Sequence, residues 1–192
     1  AFLITEANRM GIHVFPPDVN RSAAAFTPDE KNIRFGLTAI KNVGTNIVNA
    51  IIEERGRGGP FADLAALLSR VKHKDLNKKS LESLIKCGAL DSLNTERNRA
   101  LQHIDELLKF AATARRESET AQTGLFGTRL GSGALKLPET PPADAQEKLL
   151  WEKELLGLYI TDHPLNQHKA RIELARAQTI RDILKGASER KP

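Results

Sequence analysis

The 192 residues predict a mostly α-helical protein: a tandem helical module, a small mixed α/β segment at its N-terminal side and a helical C-terminal extension. Three observations carry this. Between Phe35 and Glu53 the short apolar run Leu37 and Ile40 meets the turn Lys41-Asn42-Val43-Gly44. A second apolar stripe follows at Ile47, Val48, Ala50, Ile51 and Ile52, the spacing of two short helices joined by a tight turn. Between Asn77 and Ala111 the arrangement recurs in looser form, helix, glycine turn, helix. Further on, Leu149, Leu150, Trp151, Leu155 and Leu156 mark one more helix.

Taken in order, residues 1–34 open with a short helical or extended piece and a strand, Gly11 to Phe15, stopped by Pro16-Pro17-Asp18. Val19 to Ser22 reads as a loop. Phe26, Ile33 and Phe35 alternate with polar residues around a turn expected at Pro28-Asp29, so a short strand pair is predicted. After the first hairpin, Arg55-Gly56-Arg57-Gly58-Gly59-Pro60 is expected to be a flexible turn. Phe61, Leu64, Leu67, Leu68 and Val71 then predict an amphipathic helix of about three turns. Asn77 is the expected N-cap of a helix with the stripe Leu81, Leu84 and Ile85, and Gly88 stands where a helix C-terminal glycine belongs. Thr95 and Glu96 are expected to cap one long helix carrying Ala100, Leu101, Ile104, Leu107, Leu108 and Ala111. Gln122 to Ala143 lacks a helical stripe and predicts a mobile connector. Asp144 caps the helix after it, and residues 165–186 predict one or two short helices with Thr179 as an N-cap.

Composition narrows the functional classes. The net charge is +5, and its placement is uneven: Ile33 to Glu117 holds 15 Lys and Arg against 10 Asp and Glu, while the remainder holds 14 against 14. The excess is densest at Arg70, Lys72, Lys74, Lys78 and Lys79, as suits a polyanionic partner. The single cysteine, Cys87, excludes an internal disulfide and a cysteine-based zinc site, and reads as a small buried apolar residue. No signal peptide and no run of 18 apolar residues is found, so no membrane partner is expected. His163 and His168 have no carboxylate or cysteine cluster beside them and read as surface or turn residues. The start at Ala1 rather than Met reads as a piece of something longer.

The first turn has a chemistry of its own. The N–H groups of a turn and of the next helix's first turn lack intrahelical acceptors, and with the helix dipole they form an anion site. Gly44 can take a positive φ there or let the backbone approach a ligand; Thr45 and Asn46 add polar donors and Lys41 a charge. Such a site binds phosphate without reading sequence. The stretch resembles the helix-hairpin-helix motif of DNA-binding proteins, whose turn is Gly-hydrophobic-Gly; here Asn42 replaces the first glycine.

A longer resemblance runs through ordered blocks. These are Arg9-Met10-Gly11-Ile12, Pro16 to Ser22, Ile33 to Leu37, Ile40 to Gly44 and Gly59-Pro60-Phe61. Asn77-Lys78 with Leu81 to Lys86, Gly88 to Leu93, Glu152 to Gly157 and His163-Pro164-Leu165 complete the series. In order and spacing they resemble the alpha subunits of bacterial DNA polymerase III, the C-family polymerases.

The resemblance implies that residues 1–34 close the fingers domain and that 35–117 form a tandem helix-hairpin-helix module gripping duplex template-primer DNA. Residues 118–145 would be a connector with a clamp-binding peptide, and 146–192 a helical lead-in to an oligonucleotide-binding domain. Lys41, Asn42, Val43, Gly44, Thr45 and Asn46 would contact the DNA backbone, as would Lys86, Cys87, Gly88, Ala89 and Leu90, with Lys72, Lys74, Lys78 and Lys79 adding attraction. Gln122, Gly124, Leu125 and Phe126 resemble the family's Gln-x-x-Leu-Phe peptide for the beta sliding clamp, whose apolar pair would fill a pocket. The parent polymerase would use Mg, act in the bacterial cytoplasm and contact other replicase subunits. This stretch would be non-catalytic and need no cofactor, because no strand-borne acidic cluster for two-metal chemistry is present. The error-prone relative of the same family, a free-standing helix-hairpin-helix repair protein and a helical adaptor that ignores DNA remain as alternatives.

Overall fold

The computed structural model describes residues 2–120, 135 and 137–175. The chain divides into two units, 1–161 and 162–192.

The first unit opens with helix α1 (Phe2–Arg9) and a three-stranded sheet of β1 (Val14–Phe15), β2 (Thr27–Asp29) and β3 (Asn32–Arg34). Strand β3 lies centrally, parallel to β1 and antiparallel to β2. The expected turn at Pro28-Asp29 is displaced: both residues lie in β2, and the reversal falls at Glu30, whose φ is 56°. Pro28 is tolerated because β2 is an edge strand whose second side needs no N–H. Arg34, nearly buried, ties the sheet by an ion pair to Asp29 (2.6 Å) and a hydrogen bond to the Pro16 carbonyl (3.2 Å).

The loop Asp18 to Ser22 is a bracket rather than a spacer. The Val19 N–H donates to the Ala89 carbonyl (2.9 Å), and Val19 itself is fully buried. Asn20 closes a two-way pair with Phe61, donating from Nδ2 to its carbonyl (2.9 Å) and accepting its N–H on Oδ1 (2.8 Å). The N-terminal segment is thereby fixed to two separate helical turns.

The helical part comprises α2 (Thr45–Gly58), α3 (Leu64–Arg70), α4 (Lys78–Lys86), α5 (Arg97–Gln102), α6 (Ile104–Thr120) and α7 (Ala145–Leu156). Their apolar stripes close one core containing Phe35, Leu37, Ile47, Ile51, Phe61, Leu67, Leu68, Leu81, Leu84, Leu107 and Leu155. At roughly 1.5–3 kcal/mol for each fully buried large apolar side chain, this burial is the main drive to fold.

Four details depart from the sequence expectations. Leu37–Ala39 forms a single 3-10 turn, not a full helix, because the chain must still reverse within a few residues to enter α2. Helix α2 continues through Arg55–Gly58, where a flexible turn was expected, and ends at Gly59. The cause is a distant arginine: Arg70 donates to the carbonyls of Glu54 and Gly59 (2.9 and 2.8 Å), satisfying acceptors that a helix end leaves open. Arg55 meanwhile donates to the carbonyls of Val19 and Ser22. Third, the helix around Phe61 to Val71 is shorter than predicted, with Asp63 as N-cap and Phe61 buried ahead of it. Fourth, the long helix from residue 95 is broken at His103, and its cap is Glu96; Thr95 bonds the Leu93 carbonyl instead.

Asn77 caps α4 as expected, in a reciprocal pair with Ser80. Leu137 to Ala143, read from sequence as part of a mobile connector, is held down in the structure. Leu135 and Leu137 pack on the core, Asn98 donates to the Pro141 carbonyl (2.7 Å), and the Ala143 N–H reaches Glu96 (3.0 Å). Partial burial pushes the Glu96 carboxyl up, but the N–H groups of Ala143 and Arg99, with the Lys148 charge, outweigh it and hold the group below its ordinary 4.5. This anchor is complete above that ordinary value and is lost as pH falls through the lowered one.

In the second unit, a 3-10 turn (Asn166–His168) leads into α8 (Lys169–Leu174), all exposed. Asp162 accepts from the His163 N–H and from the Asn166 side chain, which keeps its carboxyl low. The expected N-cap Thr179 lies outside the described residues.

Candidate nucleic-acid interface

The turn Lys41 to Asn46 lies at the surface. Lys41, Asn42, Gly44, Thr45 and Asn46 are exposed, while Val43, 6% exposed, points into the core and fixes the loop. Gly44 is the N-cap of α2 with φ −76°, so it does not use the left-handed region. That conformation falls on Asn42, at φ 67°. Asparagine is among the few residues that enter it readily, which explains how the turn closes without the first glycine. Asn42 also donates from Nδ2 to Ser83 Oγ of α4 (3.3 Å).

The first intrahelical bond of α2 runs from the Val48 N–H to the Gly44 carbonyl. The N–H groups of Thr45, Asn46 and Ile47 therefore precede the hydrogen-bonded ladder, and the N-cap glycine offers no side chain to take them. They point outward at the positive end of a 14-residue helix dipole. No carbon obstructs the approach, since a Cβ built on Gly44 would meet nothing within 4 Å.

Basic side chains flank this end. Asn46 Nδ2 reaches Asp75 Oδ2 (3.2 Å), which brings the loop holding Lys72 and Lys74 beside the turn. Lys79 lies one helical turn before Ser83, the residue that meets Asn42. Among the described residues Lys41, Lys72, Lys74 and Lys79 are exposed and form no ion pair. Lys78 differs: it pairs with Asp105 at 2.8 Å, so part of its charge is already balanced.

The second turn is placed differently from expectation. Cys87, Gly88, Ala89 and Leu90 are buried. The N–H groups of three of them are internally bonded, Cys87 to the Ser83 carbonyl, Gly88 to Ile85 and Ala89 to Leu84, and the Ala89 carbonyl receives Val19. Lys86 pairs with Glu82 at 2.6 Å and lies over the Trp151 ring. This turn has packed inward and is a structural partner of the first, not a second exposed phosphate cradle. Burial pushes the Cys87 thiol up to about 12, in keeping with an inert packing role.

Residues that sequence reading passed over hold this arrangement. Arg97, buried against α4, forms a two-point pair with Asp91 (2.9 and 2.5 Å) and donates to the Lys86 carbonyl (3.0 Å), closing the end of α4. Gly88, at φ 80°, leaves room for that guanidinium. Helix α7 joins the site from far along the chain: its Leu155 carbonyl accepts the Lys41 N–H (3.0 Å). Gln122, Gly124, Leu125 and Phe126 lie outside the described residues. Among the described residues no group of three His, Cys, Asp or Glu is placed to hold a metal ion, and no helix is long and apolar enough to cross a membrane.

The helix-hairpin-helix motif family matches residues 11–100, a span that contains the first turn, both flanking lysine clusters and the bracket loop. Curated relatives cover more. The DNA polymerase III subunit alpha of Thermus aquaticus is 42% identical over 172 residues, 90% of this chain and 14% of that protein. That of Deinococcus radiodurans is 40% identical over 90% of this chain and 13% of its own length, and that of Mycobacterium leprae 40% over 86% and 14%. The chain thus spans about one seventh of these relatives. At 40–42% identity over 86–90% of its length, the chain matches the DNA polymerase III subunit alpha family.

Proposed function

We propose that this chain grips the sugar-phosphate backbone of duplex template-primer DNA, without sequence preference, as a non-catalytic region of a replicative polymerase. The observation that carries the reading is the exposed N-terminus of α2, with unpartnered N–H groups, an unobstructed Gly44 and four unpaired lysines around it. A phosphate placed there would accept hydrogen bonds from the backbone and lie at the positive end of the dipole. Backbone N–H groups that hold a phosphate position the duplex and carry no sequence information. The match to a polymerase family supports the same partner. Nucleotidyl transfer, with its Mg ions, would belong to other parts of the parent protein.

The direct test replaces the charge. Lys72→Gln together with Lys74→Gln should weaken binding uniformly across duplex sequences and reduce the slope of log affinity against log salt by about two. An unchanged slope would remove these lysines from the interface. Lys78→Gln, already paired to Asp105, should change it less.

The reading extends to the beta sliding clamp through Gln122 to Phe126. Leucine and phenylalanine would fill an apolar pocket while glutamine bonds the rim, tethering the polymerase for processive synthesis. Leu125→Ala with Phe126→Ala should abolish clamp binding and leave duplex affinity unchanged. A parallel loss of both would place this peptide in the DNA surface instead.

A further inference from the structure

We infer that Glu152, 106 residues beyond the phosphate-gripping turn, is a positioning residue for that turn, acting through the end of α7; this rests on the DNA-binding reading above. Glu152 is 1% exposed. A carboxylate so buried must be satisfied by strong partners or it destabilises the fold. Here it accepts three hydrogen bonds, from the N–H groups of Ile160 (3.2 Å) and Thr161 (3.1 Å) and from Thr161 Oγ1 (2.8 Å). The chain reverses at Gly157 and is pinned back along the helix it has just left.

This pinning fixes the last turn of α7. Leu155 and Leu156 are buried in the common core. The Leu155 carbonyl, among the four that a helix end leaves free, is aimed at the Lys41 N–H at 3.0 Å. Lys41 is the first residue of the exposed turn, so the entry to the turn is held by α7. Its middle is held by Asn42 on Ser83 and by the buried Val43. Releasing Glu152 frees the 157–161 reversal, lets the end of α7 fray and removes the acceptor that sets Lys41. The phosphate-gripping element then extends beyond residues 35–117 to α7 and the reversal after it.

Charge makes the test sharp. Removing a carboxylate makes the chain more positive, so electrostatics alone predicts that Glu152→Ala binds duplex DNA more tightly. Positioning predicts the opposite sign. Glu152→Gln makes the same charge change but keeps a carbonyl acceptor in place. For a labelled duplex at fixed salt, Glu152→Ala should bind about tenfold more weakly than the parent chain, and Glu152→Gln close to the parent. Amide hydrogen exchange at Lys41 should accelerate in Glu152→Ala and stay slow in Glu152→Gln. Thr161→Val removes one of the three donors, leaves the charge unchanged and should give a smaller loss of the same sign; it serves where Glu152→Ala does not fold.

A folded Glu152→Ala that binds as tightly as the parent or more so, with Lys41 exchange unchanged, overturns the inference. Failure of the parent chain itself to bind duplex would instead sink the DNA-binding reading. The exchange measurement would still decide whether Glu152 sets the turn.

Discussion

Gly44→Val lowers duplex affinity by about tenfold or more and leaves the fold nearly as stable as before. The two halves of this expectation come from separate observations. The backbone at Gly44, φ −76° and ψ 157°, is extended and open to any residue, and a Cβ there meets nothing within 4 Å. The fold therefore has no steric need of glycine, and the change at an N-cap costs about 1 kcal/mol or less. The proposed phosphate ligand would have that need. The valine methyl groups would occupy the space through which a phosphate reaches the N–H groups of Thr45, Asn46 and Ile47. Charge and thermal midpoint barely change, so a binding loss would report the lost approach alone. A folded variant that binds as the parent does would show that the phosphate does not sit at this helix end.

Gly36→Ala should do the reverse and damage the fold directly. A Cβ on Gly36 would lie 2.7 Å from the Ala24 carbonyl oxygen and from the Phe26 nitrogen, and closer still to the carbonyl carbon of Ala25. These are backbone atoms and cannot swing aside as the end of a long side chain can. They are also held in place, because the Ala23 and Ala24 carbonyls accept the N–H groups of Leu37 and Thr38 at 3.0 Å. Relief requires the crossing to open, disturbing Phe35 and Leu37, both in the core. A loss of about 3 kcal/mol is expected, at the severe end of overpacking, and chemical denaturation would measure it. A loss under about 0.5 kcal/mol, the range of an ordinary surface change, would mean that the 23–26 segment moves easily. The two glycines are eight positions apart; one serves the fold, and on the proposed DNA-binding reading the other serves a ligand.

What the sequence disclosed follows from the range of each interaction. The stripes of α2, α4 and α7 were legible because helical burial repeats every three to four residues, and Ile47, Val48, Ile51, Leu81, Leu84, Leu149 and Leu155 all lie inside. Asn77 was legible as a cap because its partner Ser80 is three residues away. The extension of α2 through Arg57-Gly58 was not, since Arg70 and not the local sequence closes that end. Arg97 closing α4 at Lys86 and Leu155 holding Lys41 have the same character, one long-range bond each with no periodic trace.

The site was half legible. The first turn could be found from Gly44 and its flanking stripes, although the positive φ belongs to Asn42. The second turn misled, because a glycine after a helix looks alike whether the turn faces solvent or the core. The bracket from Val19 to Ala89 decided that it faces inward. Glu152 was visible only as part of a family-like block, and its burial could not be read from a helix whose other acidic residues face water.

The central claim is that an exposed helix end and four unpaired lysines hold the phosphate backbone. Its most direct test is the affinity of the folded chain for a labelled duplex across a salt series. Neutralising four phosphates predicts that log affinity falls with log salt at a slope of about −3 to −4, equally for duplexes of different sequence. A folded chain that fails to bind at low salt, or binds with a slope near zero, would contradict the account.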